Sequence, residues 1–445
     1  MGQQVKKSAD LILTNGTVLP LSPDSEPIID GALAVSNGRI TSLGAKAHVE
    51  RYFEARQTID AGGGLIMPGL VNAHNHAAMT SYRGMADDLP LIDWLTRYIF
   101  PAESKSDGEQ VYWSTLLACS EMIRSGTTTF CDMYLFEDRV AQAAKEAGMR
   151  ALVGEVLYDF PSPNYGPLNK GLEYTEALIS RWQGDPLISI AVEPHALYTC
   201  SPGLLGQCQD LADRYGVPMI IHLAETRSEV EEISQKYGKR PVNHMESLGL
   251  LSPSLIACHC VWLTEAEMDL LARRGVKVVH NPESNMKLAS GVAPIPELLA
   301  KGVTVGLGTD GCASNNNLDL FQEMDSAAKL HKVHRLDPTV MPSDVVLHMA
   351  TLGGAKVLGL DKEIGSLEVG KKADIIILDL NRPHLQPIYN ITSQLVYSAT
   401  GADVRDVIID GQLIMQDRKL LTLDEENIIK KMQEIKGKIL QRVSH

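Results

Sequence analysis

Between Leu65 and Asp310 the chain repeats one rhythm, a short apolar run followed by a longer amphipathic segment. This rhythm restricts the possible folds more than any other feature. The apolar runs are Leu65–His76, Thr127–Met133, Ala151–Leu157, Ile188–His195, Met219–His222, Leu255–His259, Val276–His280 and Val303–Asp310. Segments of helical periodicity lie between them, among them Ser114–Arg124, Val140–Ala147, Pro202–Tyr215, Ser228–Tyr237 and Thr264–Arg274. Strands alternating with helices imply crossover connections and a parallel sheet. Eight repeats predict an α/β fold, a (β/α)8 TIM-like barrel. A doubly wound open sheet has the same alternation but does not account for what ends the strands.

The runs end in His74 and His76, His195, His222, His259, His280 and Asp310. In a barrel, functional side chains gather at the C-terminal ends of the strands. His74 and His76, spaced i, i+2, project from one face. Alone, that pair also reads as two surface histidines at a strand end; the other strand ends supply the rest of a site. Three imidazoles and a carboxylate with one open position suit Zn²⁺, and Fe²⁺ accepts the same donors. The expected ligand set is His74, His76, His222 and Asp310, whereas His280 reads as a core imidazole bonded to backbone.

The flanks have β character. Asp10–Thr14 precedes an Asn15-Gly16 turn signal, and Ala32–Val35 and Ile40–Leu43 flank Ser36-Asn37-Gly38-Arg39 as a hairpin. Strand-like runs return in Ile364–Gly370, Ala373–Asp379, Val404–Asp410 and Gln412–Met415. The expected organisation is a small β-sandwich domain from residues 1–64 and 365–420, a metal-dependent barrel over 65–364, and a C-terminal helix within 421–445. The Pro68-Gly69 step marks the hand-over to the barrel, and Glu425–Arg442 is expected to pack outside.

A formal charge of -14 disfavours nucleic acid and anionic membranes as partners. No apolar stretch approaches the roughly 20 residues that span a bilayer, and Met1–Lys7 has no signal-peptide apolar core. Cys119, Cys131, Cys200, Cys208, Cys258, Cys260 and Cys312 are scattered, several in apolar runs, as expected of reduced, buried thiols in a cytoplasmic protein.

Pro68–His76, Glu193-Pro194-His195-Ala196, His222-Leu223-Ala224-Glu225, His280–Leu288 and Thr309–Asn316 together resemble the amidohydrolase superfamily. Within it they are similar to the mononuclear deaminases, above all the 5-methylthioadenosine/S-adenosylhomocysteine deaminase family. The resemblance runs from about residue 10 to 415. Binuclear relatives carry a bridging carboxylated lysine on a middle strand, and neither Ala151–Leu157 nor Ile188–His195 contains lysine. The Pro-Cys-x-x-Cys signature of the other zinc deaminases is absent as well.

The resemblance implies hydrolytic deamination of an adenosine-type nucleoside (5-methylthioadenosine, S-adenosylhomocysteine or adenosine) by metal-activated water, in a homo-oligomer. Glu225, three residues after His222, stands where a carboxylic acid protonates the ring nitrogen and then the leaving ammonia. His259 and Asp310 orient and deprotonate the attacking water. His195 binds the purine, and Glu103 grips the ribose hydroxyls. Trp94, Met85 and Leu89 are candidate pocket walls. Relatives that bind a homocysteine carboxylate tend to carry an arginine after the third strand. Tyr158–Thr175 has only Lys170, which favours methylthioadenosine or adenosine. The alternatives are a related mononuclear hydrolase acting on guanine, an oxidised purine or a triazine, and a non-catalytic scaffold. A scaffold predicts lost ligands, yet all four are present.

Overall fold

The computed structural model describes residues 6–443, so most of the N-terminal stretch read for a leader (residues 1–5) lies outside the described residues. Five strands open the chain: β1 (Lys7–Val18), β2 (Ile28–Ser36), β3 (Arg39–Ala45), β4 (Phe53–Asp60) and β5 (Leu65–Pro68). Nine follow in alternation with helices: β6 (Leu70–Asn75), β7 (Thr127–Tyr134), β8 (Arg150–Leu157), β9 (Ile188–Ile190), β10 (Glu193–Pro194), β11 (Met219–Leu223), β12 (Leu255–His259), β13 (Lys277–His280) and β14 (Val305–Leu307). Then come β15 (Ile375–Leu378), β16 (Val404–Ile409), β17 (Gln412–Gln416) and β18 (Lys419–Leu420), and a final helix over Glu425–Val443.

Strands from both ends of the chain share one nine-stranded sheet, ordered β18-β17-β16-β15-β5-β1-β2-β3, with β4 also paired to β1. Its inward residues, including Leu13, Leu33, Ile66, Ile375 and Ile408, form one apolar cluster. The β2–β3 hairpin forms around Asn37-Gly38, both at positive φ. Asn15-Gly16 does not turn the chain, contrary to expectation. Asn15 takes φ 60 and the register shifts on both sides of Gly16, so the pair bulges within one long strand. A Cβ on Gly16 would lie 2.8 Å from both Ala61 Cβ and the Gly64 carbonyl oxygen. Beyond this bulge β1 changes partner, from β4 to β5. Ile364–Gly370 is not a strand either; it lies against the β3 end through the Gly370 N–H to Ile40 carbonyl bond of 2.8 Å.

The expected strand Leu65–His76 is two strands. β5 runs antiparallel to β15, whereas β6 runs parallel to β7. Gly69 divides them: its N–H bonds the Asp374 carbonyl at 3.0 Å, and a Cβ there would lie 2.2 Å from Thr128 Oγ1. Two further runs are shorter as strands than expected. Ile188–His195 breaks into β9 and β10, and Pro194 has no N–H to offer a ladder. The eighth run ends at Leu307, before Asp310 leaves with φ 58.

The remaining strands form two parallel sheets, β10-β8-β7-β6 with β9 beside β8, and β11-β12-β13-β14. Parallel bridges Val192–Met219 and Ala196–His222 join them on one side. On the other side the Asp310 N–H donates to the His74 carbonyl at 3.0 Å. Every residue of β6, β7, β8, β11 and β12 is buried, as expected of strands covered on both faces. The last helix packs on helix Gly108–Arg124, where Glu425 accepts from Ser120 Oγ at 2.9 Å and from the Arg124 guanidinium. All seven cysteines are free and buried. Among the described residues no helix is long and apolar enough to cross a membrane.

Candidate metal centre

Strand ends deliver the expected ligands to one point. His74 and His76 leave β6, His222 is in β11, His259 ends β12, and Asp310 lies three residues past β14. His74 Nε2 is 3.1 Å from His222 Nε2 and 3.5 Å from Asp310 Oδ1, which is 3.0 Å from His76 Nε2. Their donor atoms fall into two overlapping triads, His74–His222–His259 and His74–His76–Asp310. His259, expected to flank the attacking water, thus adjoins the donor cluster. Sharp exits aim these groups. Ala224, His259, Cys260 and Asp310 all take positive φ, a conformation costing a non-glycine residue about 1–3 kcal/mol. Backbone bonds hold it in place, among them Cys260 N–H to the Leu223 carbonyl at 3.0 Å and Val261 N–H to the Ala224 carbonyl at 3.0 Å.

The outer partners fix which nitrogen faces inward. His222 Nδ1 donates to the His195 carbonyl at 2.9 Å, and His76 Nδ1 donates to the Met133 carbonyl. His259 Nδ1 lies 2.9 Å from Asn285 Oδ1. In the neutral imidazole that leaves each Nε2 with its lone pair toward the cluster. Of these four rings, it is His74 whose Nδ1 is buried with no partner. Asp310 Oδ2 accepts from Ser284 Oγ at 2.6 Å and Ser314 Oγ at 3.0 Å, which leaves Oδ1 for the centre. Several lone pairs and a carboxylate converging in a buried space form a donor set that could hold a metal ion. Burial holds His74 down to about 4 and His222 well below the usual imidazole range. Burial also pulls at His76, but the Asp310 carboxylate and the Met133 carbonyl override it and raise it to about 9. Asp310 itself is well below the usual carboxylate range: burial opposes this, and His74 and His76 outweigh it.

The cluster forms the floor of a cavity lined by Trp94, Glu103, His195, Glu225 and apolar groups such as Leu91 and Ile99. Glu225 Oε2 lies 4.0 Å from His259 Nε2. Burial raises the Glu225 carboxyl above the usual range, His259 opposes it and Asp310 reinforces it. Glu229 positions the turn, accepting from the Ala224 and Glu225 N–H groups at 2.9 and 2.8 Å. His195 faces the cavity with Nδ1 2.9 Å from Thr199 Oγ1, and burial lowers it to about 3. Glu103 also lines the cavity, raised to about 7 by burial.

Of the candidate walls Trp94 lines the cavity, whereas Met85 and Leu89 are packing residues of the core. His280 is buried as expected, but its ring bonds His331 (Nε2–Nε2 3.1 Å) rather than backbone. Sequence reasoning did not single out Asn285, Ser284, Ser314, Thr199 or Tyr134. Asn285, Ser284 and Ser314 lie inside the stretches that carry the resemblance, but no spacing rule marks them.

Parallel strands that bring imidazoles and a carboxylate to one buried point define a metal-dependent hydrolase of mixed α/β fold. The amidohydrolase family model matches residues 65–414. A 5-methylthioadenosine/S-adenosylhomocysteine deaminase of Syntrophobacter fumaroxidans is 60% identical over 427 residues, 96% of this chain and 98% of that protein. A 5'-deoxyadenosine deaminase of Methanosarcina mazei is 45% identical over 438 residues, 98% of this chain and 100% of that one. A crystal structure of an adenosine deaminase from Xanthomonas campestris with bound zinc superposes with a TM-score of 0.96 at 41% identity, covering 98% of this chain and 100% of that one. The chain belongs to the amidohydrolase family and, within it, to the 5-methylthioadenosine/S-adenosylhomocysteine deaminases.

Proposed function

We propose that this protein hydrolytically deaminates an adenosine-type nucleoside (5-methylthioadenosine, S-adenosylhomocysteine or adenosine) to the inosine analogue and ammonia. The observation that carries the reading is the convergence of inward-facing imidazoles and Asp310 beside buried Glu225, on the floor of a cavity with apolar walls. The names of the relatives support the substrate class. The ring of parallel strands is a (β/α)8 barrel, bearing a small β domain built from residues 1–64 and 365–420 and a helix within 421–445.

His74, His76, His222 and Asp310 hold one divalent ion, Zn²⁺ with Fe²⁺ as the alternative. When bound, such an ion lowers the pKa of water from 15.7 to about 7 and so supplies hydroxide at neutral pH. His259 and Asp310 flank the attacking water, orient it and take its proton. His195 hydrogen-bonds the purine, and Glu103 accepts from the ribose hydroxyls. Glu225, whose carboxyl burial raises above the usual range, gives a proton to the ring nitrogen beside the attacked carbon and then carries one to the departing amine. A cytoplasmic setting is supported by seven free, buried thiols. A homo-oligomer remains the expectation from the family resemblance.

The test is to incubate purified protein with methylthioadenosine, S-adenosylhomocysteine, adenosine and guanine, with and without prior chelation, following absorbance and ammonia. Loss of the adenine chromophore that chelation abolishes is expected. Turnover of guanine alone moves the protein to the alternative class, and no turnover of any adenosine overturns the reading.

A further inference from the structure

We infer that residues 84–103 form a lid over the nucleoside cavity, latched by an ion pair between Asp87 and Lys287, which opens to pass substrate and product. The inference rests on the nucleoside reading above and adds a moving part that reading does not use. The segment is amphipathic at helical spacing: Leu91, Trp94, Leu95 and Ile99 are buried, whereas Ile92, Thr96, Arg97 and Tyr98 face out. Its winding loosens to a π-type turn over Leu95–Ile99, a form frequent at functional sites. The inner face is turned to the cavity, where Leu91, Trp94, Leu95, Ile99, Phe100 and Glu103 all form wall. Below them His222, Glu225 and Asp310 are only 6%, 5% and 5% exposed, although a nucleoside has to reach them. The strands beneath are paired and buried, so the wall free to move aside is the segment 84–103.

The way the segment is held suits a part that opens. Arg83, just before it, is anchored by the Glu121 carboxylate and Cys312 Sγ. Farther on, the segment bonds to itself, as from Trp94 Nε1 to the Ala86 carbonyl at 3.1 Å. Its charged link to the facing rim is Lys287 Nζ to Asp87 Oδ1 at 2.6 Å. Lys287 is steadied from its own side by Asn316 Oδ1 and, at 3.4 Å, by the Ala313 carbonyl. It ends the helix Pro282–Lys287, whose Ser284 and Asn285 hold Asp310 and His259. Latch and site therefore share one helix. With 25% of the lysine and 38% of the aspartate side chain exposed, the pair adds little to stability. Breaking it releases the lid without unfolding the protein, which makes it a latch and not a strut.

The test is amide hydrogen exchange on the metal-loaded protein, alone and with adenosine or its product inosine, for wild type, Asp87→Ala and Asp87→Glu. Amides of residues 91–103 are expected to exchange faster than those of β6, β7 and β8. Asp87→Ala should speed them a further two- to fivefold (roughly the worth of an exposed ion pair), with the strands unchanged. Salt at about 1 M should do the same to wild type, and Asp87→Glu, which keeps the charge, should exchange as wild type does. Bound nucleoside should slow the lid amides in all three proteins. Lid amides as slow as the strands, or unmoved by Asp87→Ala, overturn the inference. Lid amides that Asp87→Ala speeds but no nucleoside slows are a different outcome: the latch stands, and it is the nucleoside reading that falls.

Discussion

Glu225 has 5% of its surface exposed, and burial keeps its carboxyl protonated at a higher pH than a free glutamate. Glutamine keeps the shape and removes the proton relay. Glu225→Gln is expected to lower kcat by roughly 10²- to 10⁴-fold, the usual worth of a positioned acid–base, with metal content unchanged. Glu103 gives a pH dependence of known sign. It is half-buried and raised to about 7 by burial, and its ionised form is the better acceptor for sugar hydroxyls. KM for a nucleoside should therefore rise as pH falls through about 7, while Glu103→Gln shows a higher KM that stays flat across that range. At this scale the sequence was most informative where strand ends carried the chemistry, as at His74, His76, His222 and Asp310. The side chains that hold them were not legible. Asn285 reaches His259 across 26 residues and Ser284 reaches Asp310 across 26, from a short helix whose placement only the fold determines.

Gly69 sits between two elements that the sequence presents as one apolar run. Nothing in Leu65–His76 announces that its first four residues pair with β15 and its next six with β7, because both stretches are buried and apolar. The glycine is required by close approach rather than by a turn, since a Cβ would meet Thr128 Oγ1 and Cγ2 at 2.2 Å and Thr128 Cβ at 2.7 Å. Gly69→Ala is expected to destabilise by about 1–3 kcal/mol, the range for overpacking a tight site. The expected denaturant midpoint falls accordingly. The double variant with Thr128→Gly should lose less than the sum of the two singles, because the clash needs both partners. Asn15-Gly16 is misleading for a related reason. The local signal requires only a left-handed residue, and a bulge within a long strand satisfies it as well as a hairpin turn does.

The parallel strands and the sheet made from the chain's two ends are joined by a buried ion pair. Arg150, at the start of β8, grips Asp374, just before β15, with Nε–Oδ2 at 2.8 Å and Nη2–Oδ1 at 3.1 Å, across 224 residues of sequence. Only 8% of the arginine side chain and 2% of the aspartate side chain is exposed. Arg150 also donates to the Pro186 carbonyl at 2.7 Å, and Asp374 accepts from the Asp410 N–H at 2.7 Å. No spacing in the sequence marks such a pair, whereas the eight-fold rhythm that encodes the strands is local and can be read directly. Arg150→Met leaves the aspartate charge buried with one backbone donor. That should cost about 3–5 kcal/mol, the range for breaking a buried pair from one side. Removing both charges, Arg150→Met with Asp374→Leu, should recover most of it. Because Arg150 lies at the strand end opposite the His–Asp cluster, kcat/KM per folded molecule should stay unchanged in both variants. Chemical denaturation with parallel kinetics separates the two effects. A single variant as stable as wild type would show that the pair does not hold the two parts together, and a fall in kcat/KM of the folded protein would show that the strands transmit the change to the site.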